Sequence, residues 1–169
     1  MSTAFDKIGS DRQLQDHWLR RLIAGIIDSI IISIIVYIIS VFAALPAVFL
    51  GGAFYIAGFP FIQGILLFLY AAFLESVYGT TIGKQIMLLR VQTLDGKLPS
   101  FERTLIRDVS KIHGLLWLID TLIGMATIGD PHQKYSDRFA RTTVVSTTER
   151  SYILSAEQGS PAPPTPPST

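Results

Sequence analysis

Apolar residues gather into three long blocks along this chain, and polar residues fill the stretches between them. The first block opens at "RRLIAGIIDSIIISIIVYIIS", residues 20–40, and is nearly all isoleucine, leucine, valine and small residues. From Leu22 to Tyr78 the only charged side chains are Asp28 and Glu75. A run of this kind predicts a first transmembrane helix over about 19–43, long enough at about 1.5 Å per residue to cross a hydrocarbon core of about 30 Å with some tilt. Leu45-Pro46 is expected to end it. The segment "AVFLGGAFYIAGFP" that follows is apolar but broken by glycines, and reads as a partly inserted turn or interfacial segment. A second span is predicted over about 60–77. The third block, "IHGLLWLIDTLIGMATIG", residues 112–129, is marginal in length and has Asp120 at its centre, so it is expected either to cross fully or to enter and return.

Between the second and third blocks the pattern changes. "LLRVQTLDGKLPSF" alternates like a strand and carries a turn signal at Asp95-Gly96. Pro99-Ser100 then looks like a helix start, with Ser100 as cap and Glu102 in the first turn. That helix sets Arg103, Arg107 and Lys111 at four-residue spacing, with Leu105, Ile106, Val109 and Ile112 on the other side. The expected result is an amphipathic helix whose basic face meets an anionic membrane surface, the alternative being a solvated basic face. The stretch after residue 129 is polar and ends strand-like. Trp18, Arg20 and Arg21 read as an interfacial anchor behind a short polar tail.

Composition sharpens this picture. The 169 residues are 49% hydrophobic and only 16% charged, against about a quarter in ordinary domains. The expected fold class is an all-α integral membrane protein: two long transmembrane helices, a third shorter apolar helix or re-entrant segment, a cytoplasmic amphipathic helix and short strand-like pieces. Residues 1–17 form a polar N-terminal tail, 18–146 the membrane domain, and 147–169 a proline-rich tail expected to be disordered. A cleaved signal is not expected, because the first apolar run exceeds an h-region and lacks a cleavage site.

Charge sets the expected topology. No lysine or arginine lies between the first two spans, whereas Lys84, Arg90, Lys97, Arg103, Arg107 and Lys111 lie between the second and third. The positive-inside pattern puts the N-terminus and residues 79–111 in the cytoplasm of a cell that carries the protein in its plasma or inner membrane. Lys134, Arg138, Arg141 and Arg150 favour the same side for the C-terminal portion, which conflicts with a full third crossing.

The candidate chemistry is sparse. An ionised carboxylate at mid-helix costs about 2.5–3.5 kcal/mol on insertion scales, so Asp28 is expected to be partnered or functional. Arg21 lies two turns away on nearly the same face. Gly25, Ser29 and Ser33 form a small-residue track for a neighbouring helix. Two readings of Asp28 stay open: a polar staple between helices, or a cation or proton site. Asp120 has the same two readings, and Glu75 is expected to be solvated or paired with a cytoplasmic arginine. "GTTIGK", residues 79–84, fails the phosphate-loop spacing and is followed by Gln85 instead of serine or threonine. There are no cysteines, His17, His113 and His132 are isolated, and no catalytic constellation is present. No enzyme activity, cofactor, metal or nucleic-acid partner is expected. The expected partners are the lipid bilayer with its anionic headgroups, and a second copy or another membrane protein.

The order of these features resembles the RDD family of small membrane proteins, named for one arginine and two aspartates. "RLIAGIID" supplies Arg21 and Asp28, "YGTTIGKQIMLLRVQTLDGK" the link after the second span, "TLIRD" a later arginine, and "SDRFARTTVV" the closing Asp137. The resemblance covers about residues 15–146. Family members often have a histidine before the final aspartate and a glycine before the threonine, where this chain has Ser136 and Arg141, so a turn role for that glycine is not carried over. The resemblance implies a polytopic membrane protein for which transport is commonly suggested and cation/proton exchange proposed in some members. Arg21, Asp28 and Asp137 are the polar core expected for a small-solute or cation transporter, with Asp120 as a further candidate from its own position, and an oligomer is expected because one copy offers too few helices to enclose a pore. A non-transporting scaffold or accessory subunit, with the same residues as staples, is the competing class.

Overall fold

The computed structural model describes residues 3–50 and 52–147, the side chains of 42–50 and 52–59 excepted. The proline-rich segment 148–169 lies outside the described residues. A short helix α1 (Ala4–Ile8), capped by Thr3 and Asp6, leads into α2 (Arg12–Leu50). Asp11 starts α2 by accepting from the backbone N–H groups of Gln13 and Leu14 (2.9 and 3.1 Å). Helix α3 (Gly52–Tyr78) runs back alongside it, because Ser33 meets Gln63 and Asp28 meets Tyr70, an antiparallel order of contacts.

Two windows, Arg12–Val41 and Pro60–Tyr78, are long and apolar enough to cross a membrane. The second matches the predicted span over about 60–77 closely; the first covers most of the predicted 19–43 but begins earlier, at Arg12. The segment around 46–59 differs from the expected turn. Helix continues through Pro46 to Leu50 and resumes at Gly52, so the apolar sequence is absorbed into the two long helices.

The packing of α2 and α3 is the reverse of a soluble bundle. Ile34 and Phe73 are 55% and 58% exposed, and most large apolar residues of both helices face outward with them. Ala24, Asp28, Ala71, Ala72 and Glu75 face inward. Exposed apolar surfaces of this extent are rare on soluble monomers.

Helix α3 ends at Gly79, whose φ of +73° turns the chain and whose carbonyl accepts from Val91 N–H (2.6 Å). Thr81 caps the short helix α4 (Ile82–Ile86). Strand β1 (Leu89–Thr93) follows and pairs antiparallel with β2 (Thr142–Ser146), Val91 opposite Val144. Both strand-like readings of the sequence are thus met in one small sheet. The sheet buries Leu89, Val91 and Val144 against Ala24 of α2.

Between the strands lies a bent helical hairpin. Helix α5 (Phe101–Asp108) starts after Ser100, although the Ser100 side chain makes no capping bond. A 3-10 turn over Val109–Ile112 extends it, and α6 (Gly114–Ala126) leaves at 114°. The tip seats deep against α3: a Cβ on Gly64 would lie 1.7 Å from the Ile112 carbonyl oxygen. His113 caps α6 at the bend through Leu115 N–H (3.3 Å). At the far end of α6, Arg138 donates to the Gly124 carbonyl (2.7 Å) and to Thr127 Oγ1 (2.7 Å). The loop beyond α6 reaches the start of α2, where Trp18 Nε1 donates to the Pro131 carbonyl (3.0 Å). The hairpin therefore goes in and comes back to one end of the helix pair, as β1–β2 pairing requires. Helix α7 (Tyr135–Phe139) then carries Asp137 inward.

Candidate functional site

The four candidate polar-core residues separate into three environments. Asp28, about four turns into α2, receives three donors: Thr81 Oγ1 (2.5 Å), Gly83 N–H (2.8 Å) and Tyr70 OH (3.0 Å). Tyr70 OH in turn accepts from Ile82 N–H (3.1 Å). These bonds hold α4 against α2 so tightly that a Cβ on Gly83 would lie 2.2 Å from the Ala24 carbonyl oxygen. The "GTTIGK" stretch is thus a helix-docking element: Thr81 supplies a hydroxyl, and Gly83 permits the close approach. Asp28 does not touch Arg21.

Arg21 instead turns toward Asp137. Its Nη2 lies 2.6 Å from Asp137 Oδ2, its Nη1 donates to the His132 carbonyl (2.8 Å), and its guanidinium stacks 4.9 Å from the Trp18 ring centre. The expected interfacial anchor is corrected here: Arg20 is paired at the surface with Asp16, while Arg21 is buried by its partners. Asp137 is shared with Arg107, whose Nη2 lies 3.1 Å from Oδ1. Arg107 Nε also lies 3.3 Å from Glu75 Oε2. Lys84 and Lys111 both reach Glu75 Oε1, Lys111 at 3.2 Å, and Lys111 bonds Asp108 at 2.9 Å.

Asp120 belongs to the edge of this cluster. It accepts from Lys134 Nζ (2.9 Å), Ser110 Oγ (2.8 Å) and Ser136 Oγ (2.7 Å), and from Ser136 N–H (2.7 Å). Lys134 Nζ also donates to the Arg107 carbonyl (2.5 Å). Five cations (Arg21, Lys84, Arg107, Lys111, Lys134) thus surround four carboxylates (Glu75, Asp108, Asp120, Asp137). Asp28, linked through Thr81 to Lys84 N–H, brings the charges level.

The environment is reflected in proton affinity. Burial alone would raise the Asp137 carboxyl, but Arg107, Arg21 and Lys134 overcome it and hold Asp137 well below the usual carboxylate range. Burial pulls Lys84 down to about 8 despite the attraction of Glu75. Burial also lowers Lys134, with Asp137, Asp108 and Asp120 only partly offsetting it.

The basic face predicted for α5 is overturned. Arg107 is 0% exposed and Lys111 is nearly buried, whereas Ile106 and Val109 face outward. Arg103 alone of the three stays half-exposed. The four-residue spacing of basic residues was legible, but its direction depends on the surroundings. Where the outside is apolar, the polar side of an amphipathic helix turns inward. Glu75 takes the paired form of its two expected states, with lysines as well as an arginine. Lys84, Asp108, Lys134 and Ser136 carry no sequence signal of burial beyond the i, i+3 spacing of Asp108 and Lys111. Arg141, where the family's glycine was missing, still adopts φ +51°, so the turn is kept at the expense of strain.

Below Asp28 the small-residue track does not close on a helix. A cavity of about 420 Å³ lies between α2, α3 and the hairpin tip. Gly25, Ser29 and Ser33 form one wall, Gln63 and Gly64 another, and Trp117 the third. Among the described residues, no group of histidine, cysteine and carboxylate side chains could hold a metal ion.

No curated protein and no solved structure matches the chain. A sequence model of the RDD family matches residues 16–141, from just before the arginine of α2 to the turn before β2. The span covers both long helices, the docking element, the hairpin and the buried charge cluster, and the chain belongs to the RDD family.

Proposed function

We propose that this RDD protein is a multi-pass protein of the plasma or inner membrane that moves a small solute. Residues 12–41 and 60–78 would span, and the hairpin over 101–126 would enter and return. Support for the membrane comes from the outward apolar faces of α2 and α3 and the inward charges between them. Support for a cytoplasmic N-terminus, sheet and charge cluster comes from the lysines and arginines, which cluster at that end and are absent between the spans. The exposed Ile106 and Val109 suit a hairpin lying against lipid, with Arg103 toward the headgroups.

The observation that carries the transport reading is the cavity beside Asp28, enclosed by the two long apolar helices and the hairpin tip. One copy has two spans and a hairpin, too few to surround a continuous path, so the working form is an oligomer. In this reading Asp28 fixes the cavity roof. Its three protein donors leave the cation-exchange form of transport with little to draw on. A non-transporting accessory subunit is the second reading, favoured by the protein partners that Arg21, Asp28, Asp120 and Asp137 all possess.

The test is flux in proteoliposomes across a panel of uncharged solutes, sodium and protons. Wild type should move at least one panel member, and Ser29→Phe, which fills the cavity, should abolish that flux in a folded protein. Cation flux lost in Asp28→Asn would restore the ion-site reading, and absence of any flux would leave the accessory role.

A further inference from the structure

The cavity has a chemical character that narrows what it takes. Two charged residues border it, Asp28 and Lys111. Both are already matched, Asp28 by its three donors and Lys111 by Glu75 and Asp108. The Asp28 oxygens are thus occupied by three neutral donors and Lys111 by two carboxylates, and neither side chain turns a free polar atom to the cavity. The other polar side chains at the cavity are Gln63, Ser29, Ser33, Trp117 and His113, the last with its Nδ1 accepting from Leu115 N–H (3.3 Å). Gln63 Nε2 donates to Ser33 Oγ (2.6 Å), and Ser33 Oγ donates to the Ser29 carbonyl (2.7 Å). Among the described residues, the Gln63 amide oxygen and the Ser29 hydroxyl have no hydrogen-bond partner. An amide oxygen accepts one or two donors, and a hydroxyl both donates and accepts. Around this polar spot the walls are Ile26, Ile30, Leu67 and Trp117.

We infer that the cavity binds an uncharged, single-chain amphiphile drawn from the bilayer, with a hydroxyl head on Gln63 and Ser29 and its chain along the apolar walls. The inference rests on the membrane placement proposed above and names the class of solute for that site. A headgroup with formal charge is disfavoured, because both Asp28 oxygens are already taken by protein donors and Lys111 is already ion-paired, so neither is free to receive it. A purely apolar occupant would leave Gln63 and Ser29 without partners in a dry site.

A long-chain alcohol bearing a photoreactive diazirine tests this in membranes holding the full-length protein, with the labelled residues mapped by mass spectrometry. Labelling of the Gly25–Ser33 and Pro60–Leu67 segments should saturate and be competed by unlabelled alcohol. The matched probe without a hydroxyl should label about fivefold less at equal concentration, the worth of about one hydrogen bond. Gln63→Leu should reduce that preference while keeping the labelling. Ser29→Phe should remove cavity labelling and leave labelling of the outward face near Ile34 unchanged. Should Ser29→Phe fail to fold, the Gln63→Leu comparison decides by itself. Unsaturable labelling, equal in the cavity and on the outer face, overturns the inference. So does stronger labelling by the matched ammonium probe that is lost in Asp28→Asn. Saturable alcohol labelling without flux upholds this ligand class and ends the transport reading. Flux abolished by Ser29→Phe, with no preference for the alcohol, upholds transport and overturns the ligand class.

Discussion

At the scale of single residues, Asp28 shows how a charge is kept inside an apolar helix. Thr81, Gly83 and Tyr70 replace the water it would otherwise hold. Asp28→Asn keeps the shape but sets an amide N–H₂ against donors. It should lower stability by about 1–3 kcal/mol, read from unfolding of the purified protein; unchanged stability would argue against the staple. Arg21→Met leaves the buried Asp137 with Arg107 as its nearest remaining cation. It should cost about 3–5 kcal/mol, as removal of one partner from a buried pair does. Arg141 holds φ +51°, so Arg141→Gly should stabilise the turn by about 1 kcal/mol. Lys84 gives a pH signature. Its folded pKa of about 8 lies below the unfolded value of 10.5, so the unfolded chain binds more protons in that window. Stability should accordingly rise with pH between about 8 and about 10.5, relative to Lys84→Met, in melting curves taken across that range. The sequence displayed Asp28 as an exception to its surroundings with Arg21 two turns away, whereas Asp137 was named only by the family resemblance. It did not display that Arg21 pairs with Asp137 while Asp28 pairs with α4, because both arrangements suit the same spacing on α2.

At the scale of elements, the two helices long and apolar enough to span were legible because their apolar runs reach spanning length. The β1–β2 strands were legible as strands from alternation and the Asp95-Gly96 turn, but their pairing joins segments about fifty residues apart and leaves no local trace. Helix α5 was legible as amphipathic and wrong in direction, since periodicity fixes a polar face without fixing what lies outside it. The hairpin tip depends on Gly64, where a side chain would strike the Ile112 carbonyl at 1.7 Å. Backbone cannot yield there as a flexible side chain could. Gly64→Ala should dislodge the hairpin and expose the bend around His113 to proteolysis, while Gly9→Ala, with open space around its Cβ, should not. Equal protease resistance of both variants would mean the tip is not seated against α3.

At the scale of the whole molecule, the charge count and the helix count conflicted in the sequence, and the sheet reconciles them. Strand β2 pairs with β1 over five residue pairs, so the chain after α6 returns to the same end of the helix pair as the chain after α3. Buried Arg107 and Asp137 reinforce this by tying α5 to α7 and to the start of α2. The protein has no cysteine of its own, which makes sidedness directly measurable. Single cysteines at Lys7, Asp95 and Arg141 can be labelled with a membrane-impermeant maleimide in right-side-out and inverted vesicles. All three should react only in inverted vesicles, with the N-terminus, the β1 turn and the start of β2 in the cytoplasm. A cysteine at position 141 that reacts from the opposite side to position 95 would contradict the paired sheet, and with it the hairpin that enters and returns.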